Sequence, residues 1–407
     1  MRTILIATEA DEGMGHIAPW HSFVAEALAQ NYQVHMAAPD VGLLNQLMDG
    51  ALAIGVWQTP RLRPPEPSQT GAPASSVRSW PELLVSLGYA QPVQLAGAVK
   101  AWCSILQHVR PSVVVADYAP ALMLAAHVAN IPVLEAGGGF CVPPLSPHPQ
   151  SFPGAGDSDA GRIANADQAL TAAFNHSLAQ FGESGRTGLL QSLGGLQAWP
   201  AARVVCAPAE LDPYGPREDV AYVGLLKPNA GFGAALPPRA AWPRVVGYLK
   251  ASTPGLDALI GQMAQAKVEA LVYVPGHAFA PTRKAPRQLG SVTLTHQPIN
   301  LSQALAQAEV YLSNGGLHGV GLALQKGCWP VLAPQQAEQV AMARNLVQRN
   351  WGGLWLANSG QTPQAAVQQV FAGRPRAARL PSGNHAEEKL LQLIAALTRE
   401  ARHVQPA

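Results

Sequence analysis

Charged side chains are in short supply. Asp, Glu, Lys and Arg make up 13% of 407 residues and leave a formal charge of only +2. No dense Lys/Arg run occurs, so the chain carries no electrostatic footprint for nucleic acid or anionic lipid, and small molecules are the expected partners. The four cysteines, Cys103, Cys141, Cys206 and Cys328, contain no C-x-x-C pair. Scattered in this way they specify neither a zinc site nor a disulfide framework and read as small buried hydrophobes. No apolar run reaches the roughly 18 to 20 residues of a membrane helix. Met1 to Thr8 holds one basic residue and is followed by Glu9, Asp11 and Glu12. That is the pattern of a first strand rather than a signal peptide, and a cytoplasmic protein is expected.

Apolar residues are plentiful, at 48%, and the length favours two domains. Short β-rich runs alternate with helical patterns: strands over Ile4–Thr8, Gln33–Ala38, Ser112–Ala116 and Ile131–Glu135, helices over His16–Gln30 and Ala121–Ala129. Such alternation builds right-handed βαβ units and a parallel sheet. It restarts as Arg244–Leu249, Gly255–Lys267, Ala270–Val274, Ser291–Thr295 and Leu301–Gln307. The expected division is a first domain over 1–225, a Pro/Gly-rich linker over 226–243, a second domain over 244–385, and a terminal helix and tail over 386–407. Two α/β, doubly wound Rossmann-like domains would face a central cleft, with ligands at the carboxyl ends of the strands. Thr59–Pro81 and Gly137–Asp159 read as loops. The terminal stretch Ala386–Arg402 reads as an amphipathic helix.

Two segments of the second half are the most informative. The run ending Val310-Tyr311-Leu312 is followed by Ser313-Asn314-Gly315-Gly316-Leu317-His318-Gly319, then by apolar residues at helical spacing. A strand that turns through paired glycines into a helix aims backbone N–H groups and the positive helix end at one point, a place for a diphosphate. After a further short strand, Trp329–Ala333, comes Pro334-Gln335-Gln336-Ala337-Glu338-Gln339.

With Gly13-Met14-Gly15-His16-Ile17-Ala18-Pro19, Val113-Val114-Val115-Ala116-Asp117 and Tyr222-Val223-Gly224, these segments resemble the GT-B nucleotide-sugar glycosyltransferases. Within them the likeness is to the UDP-glycosyltransferases and the bacterial antibiotic or glycolipid glycosyltransferases. The resemblance implies a nucleoside-diphosphate sugar, UDP or dTDP, as co-substrate, a small hydroxylated acceptor, and no separate cofactor. Two positions depart from the family: Asn314 stands where many members have His, and Gly319 where they have Ser or Thr. Asn314 is expected to donate through its amide instead, beside the backbone N–H groups of Gly315 to Gly319.

Sugar transfer needs a base for the acceptor proton, donors for the leaving diphosphate, and groups that fix the sugar. His16, at a strand's carboxyl end just after the Gly13-x-Gly15 turn, is the candidate base, with His21 a competitor and a packing or capping role the bland alternative. Asp117 either orients the His16 ring or caps the helix near Pro120. By resemblance Glu338 and Gln339 contact sugar hydroxyls, Gln297 and Pro298 the base, and Ser252 and Thr253 the phosphates, with Gly315, Gly316, His318 and Gly319 in the donor turn. For Glu338 and Gln339 the alternative is a first-turn helix pair. Gly15, Trp80 and Phe140 are the expected acceptor contacts, suggesting an apolar acceptor. No Asp-x-Asp triplet of the kind used by metal-dependent transferases is read, and no metal is expected. A dinucleotide oxidoreductase rests on the Gly13-Met14-Gly15 match alone, which is weak evidence. A non-catalytic binding protein of the same fold and a sugar-nucleotide epimerase also compete with sugar transfer.

Overall fold

The computed structural model describes residues 2–9, 13–48, 52–65, 77–155, 159–182, 189–229, 233, 245–275, 287–355, 379–381 and 385–404. Most of the expected linker, and residues 66–76 of the first expected loop, lie outside them. The chain forms two compact units, Met1–Lys227 with Gly383–Ala407, and Pro228–Ser382.

The first unit holds β1 (Thr3–Thr8), β2 (Gln33–Ala38), β3 (Gly55–Gln58), β4 (Val113–Asp117), β5 (Val133–Gly137), β6 (Ala202–Val205) and β7 (Ala221–Tyr222). They run parallel in the order β3-β2-β1-β4-β5-β6-β7. Every residue of β1 and β4 is buried, which is why these strands read as continuous apolar runs rather than alternating ones. The chain winds outward one way from β1 and the other way from β4, so the reversal falls between them, where Thr8 pairs with Asp117. Crevices for ligands open at such reversals.

One expected element is divided. Gly13–His16 is a 3-10 turn and the α-helix spans Trp20–Ala29. Pro19 sits between them; lacking an N–H, it cannot make the backbone bond that would fuse the two into the single helix expected over His16–Gln30. His16 is thereby left at the end of a short turn next to the strand ends.

The second unit repeats the plan with β8 (Val245–Tyr248), β9 (Ala270–Tyr273), β10 (Arg287–Leu289), β11 (Val292–Thr295), β12 (Val310–Ser313), β13 (Trp329–Leu332) and β14 (Gly353–Leu354). The order is β10-β11-β9-β8-β12-β13-β14, parallel except for the β10–β11 hairpin. Val245, Val272, Val310 and Leu312 pack on Leu256, Leu259, Ile260 and Met263 of the Leu256–Gln265 helix. Strand alternation puts Tyr248, Tyr273 and Tyr311 on the opposite face. The reversal here lies between β8 and β12, where Tyr248 pairs with Ser313.

The terminal helix, Ala386–Val404, belongs to the first unit. Leu390, Leu391 and Ile394 are buried, and the buried Glu387 carboxylate accepts from Ser22 Oγ and from the Lys227 N–H, each at 2.7 Å. Among the described residues no helix is long and apolar enough to cross a membrane.

At the sheet edge the Trp57 indole N–H donates to His35 Nδ1 at 3.0 Å, and burial, together with the nearby His108, holds His35 below its ordinary value of 6.5. The unfolded chain therefore takes up this proton first. The stabilisation is present above about pH 6.5 and is lost as pH falls from there through the lower native value. The thermal midpoint should fall between pH 7.5 and 5.5 more steeply for the native chain than for His35→Gln, which keeps an acceptor but does not titrate; equal slopes would contradict this.

Candidate active site

The reversal in the first sheet brings together residues distant in sequence. His16 Nδ1 lies 3.1 Å from Asp117 Oδ1. The Trp20 indole N–H donates to Asp117 Oδ2 at 3.0 Å. Asp117 is buried and His16 is about 20% exposed, so the carboxylate is shielded while the ring reaches solvent. Behind Asp117 stands Gly137, where an added Cβ would come within 2.7 Å of Oδ1. Burial and the Asp117 charge push the Cys206 thiol far up, keeping it neutral.

The turn after Asp117 is fixed by a residue with no marked signal in the sequence. Glu9, just past β1, is half-buried, and its carboxylate accepts from Tyr89 Oη and Trp102 Nε1, both at 2.6 Å, and from the backbone N–H groups of Ala121 and Leu122. It occupies the N-terminus of the Pro120–Val128 helix, where negative charge and acceptors are favoured. Burial pushes the Glu9 carboxyl up, and these four hydrogen bonds oppose that shift. Asp117 therefore does not cap this helix. Tyr118, between them, takes a left-handed φ of 55°, with its ring 6.0 Å from that of His16.

Gly15 is exposed in the 3-10 turn, whereas Trp80 and Phe140 are buried. Their rings pack at 6.2 Å from each other, Trp80 at 5.1 Å from Tyr118, and Phe140 at 4.7 Å from Phe152. The turn bearing Phe140 leans on Asp212, which accepts from Arg217 Nε and Tyr222 Oη. Trp80 also lines a cavity of about 20 Å³ with Tyr118, Met123, Glu135 and Cys141, room for about one water. Glu135 is buried and bonded to Arg203 at 2.7 Å. The two expected loops meet at a bridge between Ser79 and Ser151, and the first ends in the Trp80–Ser86 helix.

In the second unit the reversal gathers the loop after β8, the glycine turn and the start of the Ala337–Gln348 helix. Gly316 is the N-cap of the Leu317–Lys326 helix and supplies no capping side chain. His318 is half-buried in its first turn, and Gly315 takes a φ of 103° that favours glycine.

No known family model matches the chain, and no curated protein does. Among solved structures it is similar to the spinosyn rhamnosyltransferase SpnG, at 20% identity over 99% of this chain and 100% of that one, with a TM-score of 0.62. VinC, solved in complex with dTDP, shares 15% identity over 99% of this chain and 100% of its own, at a TM-score of 0.61. SnogD from Streptomyces nogalater shares 17% over 99% and 98%, at 0.57. The chain has the GT-B fold.

On this GT-B scaffold several expected donor contacts are spent within the protein. Asn314 Nδ2 donates one hydrogen to Thr253 Oγ1 at 3.0 Å and the other to the Ala333 carbonyl at 2.8 Å, and its Oδ1 accepts from the Lys250 N–H. An amide has two hydrogens to give, so the expected donation from Asn314 to phosphate is corrected: the side chain ties the β12 turn to the segments after β8 and β13. Thr253 Oγ1 donates to the Lys250 carbonyl and accepts from Asn314 and from Gln335 Nε2, which saturates it. The Gly315 N–H is directed to Ser313 Oγ at 3.2 Å. Gln339 is buried in the first helical turn, accepting from the Gln335 N–H and donating to Gln336 Oε1, so the helix-pair alternative describes its geometry.

Ser252 is exposed and donates to Gln335 Oε1. Glu338 is half-buried in the first turn of the same helix, and Gln297 is exposed beside Pro298, its N–H bonded to Thr295 Oγ1 at 3.0 Å. An Asp-x-Asp spacing does occur, at Asp157-Ser158-Asp159. Asp159 accepts from the Gly161 N–H as the cap of the Ala160–Ala179 helix; Asp157 and Ser158 lie outside the described residues.

The departure at Gly319 has a steric cause. An added Cβ there would overlap the Tyr311 hydroxyl and stand 3.0 Å from its Cζ. Tyr311 is buried, so the phenol cannot swing away. Gly319→Ala should cost about 2 kcal/mol of stability, as overpacking does, and Tyr311→Phe should relieve most of that cost by removing the overlapping oxygen. Denaturant unfolding of the four combinations checks this; an equal cost in both backgrounds would contradict it.

Proposed function

We propose that the chain is a glycosyltransferase that moves a sugar from UDP or dTDP to a hydroxyl of a small, apolar acceptor. The observation that carries the reading is the His16–Asp117 hydrogen bond at the winding reversal of the first sheet. Asp117 has no proton to give when ionised, so His16 Nδ1–H donates to it and the lone pair lies on Nε2. That nitrogen accepts the acceptor's hydroxyl proton as its oxygen attacks the anomeric carbon. The bond from that carbon to the diphosphate breaks, and the leaving nucleoside diphosphate keeps the electron pair. Asp117 stabilises the imidazolium as it forms.

The first unit supplies the base and the acceptor contacts, and the second holds the donor. The N-terminus of the Leu317–Lys326 helix receives the charge that develops on the diphosphate. Glu338 accepts from sugar hydroxyls, Ser252 serves the phosphate side, and Gln297 with Pro298 the base. No metal enters the scheme. Support comes from the fold shared with SpnG, whose structures include complexes with thymidine diphosphate and with spinosyn aglycone.

Transfer from dTDP- and UDP-sugars to a panel of apolar alcohols and phenols, read by mass spectrometry, tests the reading. His16→Ala should lower the rate by about 10³-fold, the range of general-base catalysis, while calorimetry finds dTDP or UDP bound as tightly as by the native chain. Native rates in the variant would refute the base. Binding of nucleotide without transfer to any alcohol would favour a non-catalytic binding protein.

A further inference from the structure

We infer, resting on the reading of His16 as the base, that Trp20 is a positioning residue that decides which atom of residue 117 faces His16. Trp20 is the first residue of the helix after the 3-10 turn, and it is 2% exposed, its ring packed edge-on against Phe23 at 5.7 Å. Its indole nitrogen can only donate. Whatever side chain stands at 117 must therefore turn an acceptor toward Trp20, and its remaining atom meets His16 Nδ1.

With aspartate the remaining atom is a second acceptor. His16 Nδ1 then carries the hydrogen and Nε2 the lone pair, the tautomer a base requires. With asparagine the oxygen goes to Trp20 and the amide N–H₂ faces Nδ1. The ring must then accept at Nδ1 and carry its hydrogen on Nε2, where it cannot take a proton. Gly137 closes off the back of the carboxylate, so the side chain has little room to escape the choice. Removing the indole N–H frees the amide to turn over and restores the productive tautomer.

A packing role would not produce the order of effects that follows from this. Asp117→Asn should lower turnover by about 10³-fold or more, Trp20→Phe by much less, and the double variant should recover at least about tenfold over Asp117→Asn alone. The tautomer is read directly from long-range proton–nitrogen spectra of the full chain labelled with ¹⁵N-histidine, with His16 assigned by its loss in His16→Gln. The neutral ring should be Nδ1–H in the native chain, Nε2–H in Asp117→Asn, and Nδ1–H again in the double variant. Site-specific replacement of Trp20 by 3-benzothienylalanine keeps the ring shape without the N–H and must restore Nδ1–H as Phe does.

A double variant that stays Nε2–H, or an Asp117→Asn protein that is Nδ1–H with Trp20 intact, overturns the inference. The same tautomers in a protein that transfers no sugar would uphold the positioning and sink the reading of function instead.

Discussion

Each sheet depends on one topological constraint, the place where its winding reverses. Two neighbouring strands there send their chains to opposite faces, so the loops that follow part and leave polar groups beside one another at the strand ends. In the first unit that place is β1 beside β4, and it holds His16, Asp117 and Trp20. In the second it is β8 beside β12, and it holds the Lys250–Thr253 loop and the glycine turn. Side chains 101 positions apart meet as a hydrogen-bonded pair because the register sets Thr8 against Asp117.

The two reversals are used differently. In the first, one buried carboxylate divides its oxygens between an imidazole and an indole, leaving the imidazole partly open to solvent. In the second, side-chain amides and hydroxyls are consumed by one another, from Asn314 through Thr253 and Gln335 to Gln339. What that network leaves for a ligand is backbone: the start of a helix with no capping side chain, where diphosphate is favoured by N–H groups and the helix field. A network of this kind under a bare helix start is a firm support, since pulling Asn314 out would strip hydrogen bonds from the buried Thr253 and from the Ala333 carbonyl.

Much of the fold is legible because fully buried parallel strands are short apolar runs ended by turn residues. Val113–Asp117 and Val310–Ser313 lie within a residue of where the pattern puts them. The 18-residue helix Pro92–Val109 and the 20-residue helix Ala160–Ala179 are not among the expected elements, although Pro92 and the cap Asp159 mark their starts. His16 and Asp117 stand out as candidates from their places after strands. Trp20, Glu9 and Tyr311 do not, since each acts through a partner far along the chain, or through a volume that only packing reveals. Asn314 misleads for a related reason: a sequence displays an amide's capacity to donate, and only the folded loops reveal that both hydrogens are already taken.

Whether the glycine turn of the second unit grips a diphosphate by its backbone while its side chains remain locked is tested most directly by a crystal structure with dTDP or UDP bound. The diphosphate should lie at the N-terminus of the Leu317–Lys326 helix, with Asn314 still bonded to Thr253 and the Ala333 carbonyl. A nucleotide bound elsewhere, or Asn314 swung out to hold a phosphate, would contradict it.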